Sequence, residues 1–512
     1  MCIFLFTGDL VYKIRIYFNC GCGFESLAVR DDMTQSVIIQ VGQCGNQIGC
    51  RFWDLALREH AQYNKSAVYD EPLSNFFRNV DIRHGNHSDI PLGDGKGKIK
   101  NLKARAVLVD MEEGVVSELL KGPLGEVFDH QQLLTDVSGS GNNWAVGNKM
   151  YGHKYKDQIS ETLRTTVEHC DCLQSFFLLH SMGGGTGSGV GTKLLEILQD
   201  EYPDVYRFTT AVYPSGEDDV ITSPYNSVLA MKELTDKADC VLPVENQALL
   251  DICEKASKAV QRPCHSASAA AIKQHSEITS SKGGVSQHSK PFDDMNNIVA
   301  NLLLNLTSAS RFEGDLNVDL NEITMNLVPY PRLHYLVSAI SPLYCLKDVS
   351  LPPRRLDQIF SDAFSRDYQL IKADPKHSLY LACALILRGK VDVSDIRRNI
   401  DRLRSSLHFI HWNQEGWKTG LCSAPPVGQP YSLLSLANNT CFKHSLTGLR
   451  DSFIKLYKRK AHLHHYTQVD GMDAGLFAES LESLTSLIAE YDKLDTSQQH
   501  TPKTEIPRLK VL

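Results

Sequence analysis

Short apolar runs alternate with stretches of helical periodicity along the first half of the chain. The runs predict buried strands at 36–41, 106–109, 175–179, 208–213 and 240–243. A helical pattern follows each of them, as with Ile48, Phe52 and Leu55 after the first run. This alternation predicts a mainly parallel, doubly wound α/β sheet, in which ligands bind beyond the carboxyl ends of the strands.

The pattern changes after residue 255. Residues 256–290 are rich in Ser, Lys, His and Gly, which predicts a disordered surface insertion. A wide apolar face then predicts a buried central helix at 291–310. Strands are predicted at 323–327, 334–339, 379–387 and 407–412, which gives a second, intermediate α/β domain at 311–425.

The two ends of the chain are predicted from weaker patterns. Residues 426–495 are interpreted as a helical region, with an antiparallel pair of helices around Phe453 and Phe477. Residues 496–512 are expected to form a flexible tail. Residues 1–32 are interpreted as an unstructured extension ahead of a true start at Met33, because a clean strand pattern begins only there.

Composition narrows the class of protein. The chain has 512 residues and a net charge of −7, with no long basic block, so a nucleic-acid partner is not expected. A membrane span would need about 18 consecutive apolar residues, and the sequence has no such run. Fourteen scattered cysteines without a secretory leader are typical of reduced thiols in a cytoplasmic protein.

The segment HSMGGGTGSG, at 180–189, carries the strongest chemical signal. It lies between a predicted buried strand and a predicted helix, where a flexible linker is not expected. Glycines allow backbone N–H groups to approach a polyphosphate, and a helix N-terminus favours its negative charge. No GxxxxGK pattern is present, which disfavours a Walker-type ATPase, and the spacing differs from the usual dinucleotide fingerprint. The loop alone indicates phosphate binding without naming the nucleotide.

Other stretches extend the pattern to a family. The segments VGQCGNQIG (41–49), GSGNNWAVG (139–147), GGGTGSG (183–189), SPYNSVLAMKEL (223–234), NLVPYPRLHY (326–335) and RKAHLHHYTQVDGMD (459–473) resemble those of tubulins. The similarity extends from about residue 33 to residue 495. Within the family, the run from Phe292 to Ile323 and the Ser/Lys-rich insertion are most similar to the epsilon group of centrioles and basal bodies.

The resemblance implies a tubulin fold: a Rossmann-like GTP-binding domain at 33–255, the central helix, the intermediate domain and a C-terminal helical hairpin. It implies GTP or GDP with Mg²⁺ as cofactors, and other tubulins, bound head to tail, and centriolar or microtubule proteins as partners. It also implies a cytoplasmic location in the cytoskeleton, at the centrosome or centriole.

The resemblance also assigns candidate nucleotide contacts. Those to the phosphates are Gln43, Cys44, Gly141, Asn142, Ser181, Gly183, Gly184, Gly185, Thr186 and Gly187. Asp110 and Glu112 would hold Mg²⁺ through water. Those to the nucleoside are Asp219 at the ribose, Asn246 and Asn296 at the guanine edge, and Phe292 stacked on the base.

A catalytic residue is implied on the neighbouring subunit. Glu322 follows the segment GDLNVDLN and matches the catalytic acid of alpha-tubulin, so it would complete the active site in trans. Three departures from the family are visible: Ser223 replaces a usual Glu, the lateral-contact stretch at 344–351 is short, and the C-terminus lacks a dense Glu tail.

Three functions therefore compete. The first is a GTP-binding tubulin that contributes to centriole structure and maturation, with slow, assembly-dependent hydrolysis. The second is a structural adaptor at the centrosome that keeps its nucleotide for stability without turning it over. The third, a nucleotide-dependent oxidoreductase, fits a doubly wound sheet but does not explain the segment from Asn317 to Glu322.

Overall fold

The computed structural model describes residues 34–81, 88–90, 97–215, 220–260, 292–343 and 355–499. The elements of the first half, in chain order, are β1 (Gln35–Val41), α1 (Gly42–Tyr63), α2 (Glu71–Ser74), β2 (Phe77–Asp81), β3 (Ser88–Asp89), β4 (Asn101–Ala104), β5 (Ala106–Asp110), α3 (Glu113–Lys121), β6 (Leu133–Thr135), α4 (Gly152–Lys154), α5 (Lys156–Glu168), β7 (Leu173–Ser181), α6 (Gly191–Glu201), β8 (Tyr206–Tyr213), α7 (Ser223–Lys237), β9 (Cys240–Glu245) and α8 (Asn246–Val260).

Those of the second half are α9 (Asp293–Leu306), α10 (Ser308–Arg311), α11 (Leu320–Leu327), β10 (Leu336–Ser341), α12 (Leu356–Ala363), β11 (Leu379–Gly389), α13 (Val393–Arg404), β12 (His408–Phe409), β13 (Trp417–Cys422), β14 (Tyr431–Asn439), α14 (Lys443–Lys458), α15 (His464–Thr467) and α16 (Gly475–Gln499).

The first sheet is parallel throughout, with the strand order β6-β5-β1-β7-β8-β9. Every residue of β1 is buried, because helices cover both faces of the sheet. Ile38 contributes to the apolar core on one face, and Val37 and Ile39 to the core on the other. This confirms the predicted doubly wound, mainly parallel sheet. The strand order reverses between β1 and β7, where such sheets form a ligand-binding crevice.

The second sheet has the order β10-β14-β11-β12, and β13 also pairs with β11. β14 lies between β10 and β11 and is antiparallel to both. The prediction that 426–495 is helical is therefore wrong over 431–439. The run SLLSL is apolar and short, and such a run fits a buried strand or a helix segment equally well by pattern alone.

The strand predicted at 323–327 is also wrong, because these residues lie in α11. Leu320, Ile323 and Leu327 are buried and share one face at helical spacing. The Asp319 side chain accepts a hydrogen bond from the Leu320 N–H and caps the helix. The helix therefore starts earlier than the predicted strand, at the end of the acidic loop.

Two further boundaries follow from the helices. α8 runs to Val260 and so enters the first residues of the predicted insertion at 256–290, the rest of which lies outside the described residues. α16 runs to Gln499, past the predicted start of the tail. Residues 1–32, the stretch 344–351 and the tail beyond 499 also lie outside the described residues.

Helices join the two sheets. α9 packs on α1 and on β11 and β14 of the second sheet. On the other side of the molecule, Phe453 and Tyr457 of α14 contact the Phe477 ring of α16.

No helix in the described ranges has the length and apolar character that crossing a membrane requires.

Candidate functional site

A cavity of about 340 Å³ opens at the carboxyl ends of the first sheet's strands. The sequence-predicted residues that line it are Gln43, Cys44, Asp110, Glu112, Gly141, Asn142, Ser181, Gly184, Gly185, Thr186, Gly187, Asn246, Phe292 and Asn296. Gly183 lies in the same loop but is not part of the cavity wall, and Asp219 lies outside the described residues. Loops that are far apart in sequence thus form one site.

Glycines let α1 begin directly at the end of β1. Gly42 has a φ of +71°, in the left-handed region that favours glycine, and this turns the chain from strand to helix. A Cβ on Gly45 would lie 2.2 Å from the Leu179 carbonyl oxygen, so only glycine allows α1 to pack this closely on β7. The N-terminus of α1, with Gln43 and Cys44, therefore lies against the Gly-rich loop and favours an anion there.

The loop at 139–147 packs tightly on the Gly-rich loop. A Cβ on Gly185 would lie 2.5 Å from the backbone nitrogen of Asn143. The hydroxyls of Ser140 and Thr186 lie 2.8 Å apart and form a hydrogen bond. Asn142 has a φ of +52°, which asparagine tolerates better than most residues. The two loops form a continuous cradle with backbone groups near the cavity.

Asp110 and Glu112 supply negative charge at the end of β5. Burial raises the pKa of Asp110 to about 6, although the N–H groups of Glu112 and Met111 oppose this shift. Its Oδ2 atom is buried and has no hydrogen-bond partner among the described residues. An orphaned, buried carboxylate oxygen in a cavity wall suits a cation, and Mg²⁺ prefers a few carboxylates with waters and phosphate oxygens. The residues therefore fit the implied Mg²⁺, although the described residues contain no cluster of three acidic, His or Cys side chains for a metal.

The other end of the cavity has a mixed lining suited to a planar base. Asn246 begins α8, and Asn296 is buried on α9. Val212, Leu249, Met295 and Val299 supply the apolar part of the wall. Phe292 has a φ of +74° and is 52% exposed, so its ring lies at the rim. Two amides beside apolar walls can recognise a purine's polar edge while its faces stay dry.

Two titratable residues in or below the cradle stay neutral at pH 7. Burial raises the pKa of the Cys44 thiol to about 12, so no thiolate repels a phosphate there. Burial lowers the pKa of His180, directly before the Gly-rich loop, to about 4. The cradle therefore attracts an anion through backbone dipoles and hydroxyls.

Comparison with known proteins agrees with this geometry. Residues 35–254 match the Tubulin/FtsZ family, GTPase domain, and residues 331–450 match the tubulin C-terminal domain. The chain is 64% identical over 484 residues to the tubulin epsilon chain of Homo sapiens, which covers 94% of this chain and 100% of the relative; the Mus musculus protein gives the same values.

The chain belongs to the tubulin family. It is also 31% identical over 471 residues to a tubulin beta chain of Coprinopsis cinerea, across 90% of this chain and 95% of that one. The two identities confirm that this tubulin is more similar to epsilon tubulins than to the beta chain compared here. The family's GTPase domain implies a guanine nucleotide, and the cavity is the place where the strand ends of that domain meet.

Glu322 of this tubulin does not line the cavity. The Asp319 side chain, just before α11, accepts a hydrogen bond from Gln174 Nε2, and the Tyr206 hydroxyl donates to Asn321 Oδ1. Gln174 is the second residue of β7 and Tyr206 the first of β8, whereas Ser181, at the cavity, ends β7. At about 3.3 Å per residue, the strand from Gln174 to Ser181 spans about 23 Å. Glu322 therefore lies at the opposite edge of the sheet from the cavity of its own chain.

Sequence reasoning missed Asn226 of α7. Its amide is completely buried and donates to the Asn142 and Gly183 carbonyl oxygens at 2.8 Å each. These atoms belong to the two loops of the phosphate cradle. The available signal was an asparagine inside a helix that also carries the apolar run Val228-Leu229-Ala230-Met231, since a buried amide needs partners.

Proposed function

We propose that this tubulin binds GTP with Mg²⁺ in the cavity and contributes to the microtubules of centrioles or basal bodies. The observation that carries the proposal is the meeting of the Gly-rich loop, the 139–147 loop, two carboxylates and two asparagines around one cavity. The sequence similarity of the chain to epsilon tubulins supports the centriolar location. Membership of the tubulin family supports a cytoskeletal protein that associates with other tubulins.

The nucleotide's phosphates would lie on the Gly-rich loop and the N-terminus of α1. Backbone N–H groups there would stabilise negative charge, which grows on the phosphoryl oxygens during transfer. Gly141 and Asn142 would approach the terminal phosphate, and Asp110 and Glu112 would hold Mg²⁺ through waters. When bound, that ion neutralises phosphate charge. Asn246 and Asn296 would bind the guanine edge, Phe292 would stack on the base, and Asp219 would contact the ribose.

Hydrolysis would require a second subunit. Because Glu322 lies at the far edge of the sheet, its carboxylate could reach only the nucleotide of an adjoining molecule that docks head to tail. There it would orient the attacking water and accept its proton. The reaction would therefore be slow in the isolated chain and faster in an assembly.

Single-turnover GTP hydrolysis tests this role. Wild-type protein and Glu322→Gln would be compared alone and with a candidate partner tubulin under assembly conditions. Loss of a positioned acid–base group is expected to slow assembled hydrolysis about 100-fold or more. Glu313→Gln removes an exposed carboxylate from the loop that precedes α11 and should leave the rate unchanged. Equal rates for wild type and Glu322→Gln would exclude the role in trans.

A structural adaptor that does not hydrolyse its nucleotide is the second candidate. The Lys418 ammonium lies 2.6 Å from Glu322 Oε2, so the Glu322 carboxylate is engaged in an ion pair in the free chain. Both side chains are partly exposed, so this ion pair is weak and water competes with it. The adaptor predicts bound GTP that stays intact in the assembly, which the same single-turnover experiment measures.

A further inference from the structure

Asn226 uses its whole amide for internal hydrogen bonds. Its Nδ2 donates to the Asn142 and Gly183 carbonyl oxygens, each at 2.8 Å. Its Oδ1 accepts from the Trp144 backbone N–H at 2.9 Å and from the Tyr466 hydroxyl at 2.6 Å. An amide has two N–H donors and one oxygen with two lone pairs, so each is used once.

These four bonds hold together three separate segments. Asn142 and Trp144 belong to the 139–147 loop, Gly183 to the Gly-rich loop, and Tyr466 to α15 near the C-terminus. The same loop is tied to α15 a second time, because Asn143 Nδ2 donates to the His465 carbonyl oxygen at 2.9 Å. Asn226 does not line the cavity, so it acts on the two loops from behind.

The spacing of the two loops decides how well a phosphate chain fits between them. Backbone N–H groups bind an anion strongly only when their directions are fixed before it arrives, since ordering them on binding costs affinity. Asn226 itself is completely buried, and hydrogen bonds inside a protein are electrostatically stronger than in water. The Trp144 N–H and the two carbonyl oxygens fix the orientation of the Asn226 amide, because a flipped amide would face that N–H with its NH₂ group and the carbonyl oxygens with its own oxygen. The Tyr466 hydroxyl supplies the second hydrogen bond to Oδ1 and so holds the amide in this orientation.

We propose that Asn226 is a positioning residue for the nucleotide's phosphates and that the Tyr466 hydroxyl is part of the same device. The inference rests on the proposed binding of a guanine nucleotide in the cavity. These hydrogen bonds position the two loops at the phosphates and do not involve Asn246 or Asn296. Their loss therefore weakens nucleotide binding more with each additional phosphate.

Tyr466→Phe is the mildest test, because it removes one oxygen and keeps the ring packed on Tyr225 and Phe477. Its affinity for GTP is expected to fall about five- to tenfold, the scale of one network hydrogen bond. GDP affinity should fall less, and GMP affinity should be unchanged. Asn226→Ala should lose more GTP affinity than Tyr466→Phe does. Its loss should again be largest for GTP, smaller for GDP and absent for GMP.

Tyr225→Phe is the matched control. Tyr225 is the neighbour of Asn226 on α7 and shares the same aromatic cluster, but its hydroxyl donates to the Ala461 carbonyl oxygen at 2.9 Å. This variant loses a comparable hydrogen bond and should bind GTP, GDP and GMP like wild type. Binding is measured by titration calorimetry with the full chain, and the melting temperature of each variant shows that it is folded.

Three results would overturn the inference. The first is unchanged GTP affinity in folded Tyr466→Phe. The second is a loss of equal size for GTP, GDP and GMP, and the third is an equal loss of GTP affinity in Tyr225→Phe; either of these two indicates general loosening. Failure of the proposed function looks different, because wild-type protein would then not bind GTP at all.

Discussion

His60 shows how a single buried residue can make stability depend on pH. Its ring contacts Phe77 and Phe312, and burial lowers its pKa to about 3. An unfolded histidine has a pKa of about 6.5. Because the folded value is depressed, the stabilising contribution is complete above pH 6.5 and is lost as the pH falls towards 3.

His60→Phe should therefore flatten the acid side of the stability profile. The variant keeps an aromatic ring and removes the group that must take up a proton on unfolding. Urea unfolding would be measured at pH 7, 6 and 5. As the pH falls, the free energy of unfolding should decrease less steeply in the variant than in wild type, and the two slopes should differ by about 1 kcal/mol per pH unit. His408→Gln removes an exposed imidazole and should leave the slope unchanged. A slope equal to that of wild type in His60→Phe would refute this prediction.

At the scale of elements, the contact between α1 and β7 positions the phosphate cradle. Gly45→Ala would place a Cβ 2.2 Å from the Leu179 carbonyl oxygen, a backbone atom that cannot rotate away. The helix must then shift from the Gly-rich loop. Overpacking of this kind is expected to cost about 1–3 kcal/mol of unfolding free energy and to weaken nucleotide binding as well.

Gly114→Ala is the control for this prediction. Gly114 lies in the first turn of α3, and a Cβ there would meet nothing within 4 Å. Because alanine favours helices more than glycine does, this variant should be equal to wild type or up to about 1 kcal/mol more stable. Thermal melts and GTP titration of both variants decide the matter: a fully stable Gly45→Ala that binds normally would contradict the account of the α1–β7 contact.

The sequence predicted elements best where their patterns were long and locally consistent. Five strands of the parallel sheet, β1, β5, β7, β8 and β9, follow from apolar runs, and the carboxyl ends of these strands place Gln43, Asp110 and Asn246 at one cavity. The sixth strand, β6, has only three residues and was not predicted. β14 and α11 were assigned wrongly because short apolar segments have two compatible periods, and the choice depends on neighbours in the fold. Asn226 was missed for a related reason, since its partners come from three distant segments.

At the scale of the whole molecule, a buried ion cluster joins the two sheet domains. Glu59 of α1 accepts from Arg311 and Arg388 at 2.8 Å each, and all three side chains are at most 2% exposed. Burial alone would raise the pKa of Glu59, but the two guanidinium groups hold it below its usual value. Arg311 ends α10 and Arg388 lies in β11, so the carboxylate links the first domain to the second.

Glu59→Gln should strongly destabilise the chain. It leaves two buried cations with a neutral acceptor, and breaking a buried pair in this way typically costs about 3–5 kcal/mol. Urea unfolding at pH 7 measures the loss. Glu161→Gln removes one carboxylate from an exposed pair with Arg164 and should leave the stability close to that of wild type, because water screens such a pair. If the two variants were equally stable, the cluster would not hold the domains together.

The central claim is that one guanine nucleotide binds where the loops of the first sheet meet. Calorimetric titration of purified, nucleotide-free protein with GTP and with ATP, each with Mg²⁺, tests it most directly. The account predicts one GTP per chain and at least about 100-fold weaker binding of ATP, because in the proposed complex Asn246 and Asn296 pair with the guanine edge. A correctly folded chain with no affinity for GTP, or with equal affinity for both nucleotides, would contradict it.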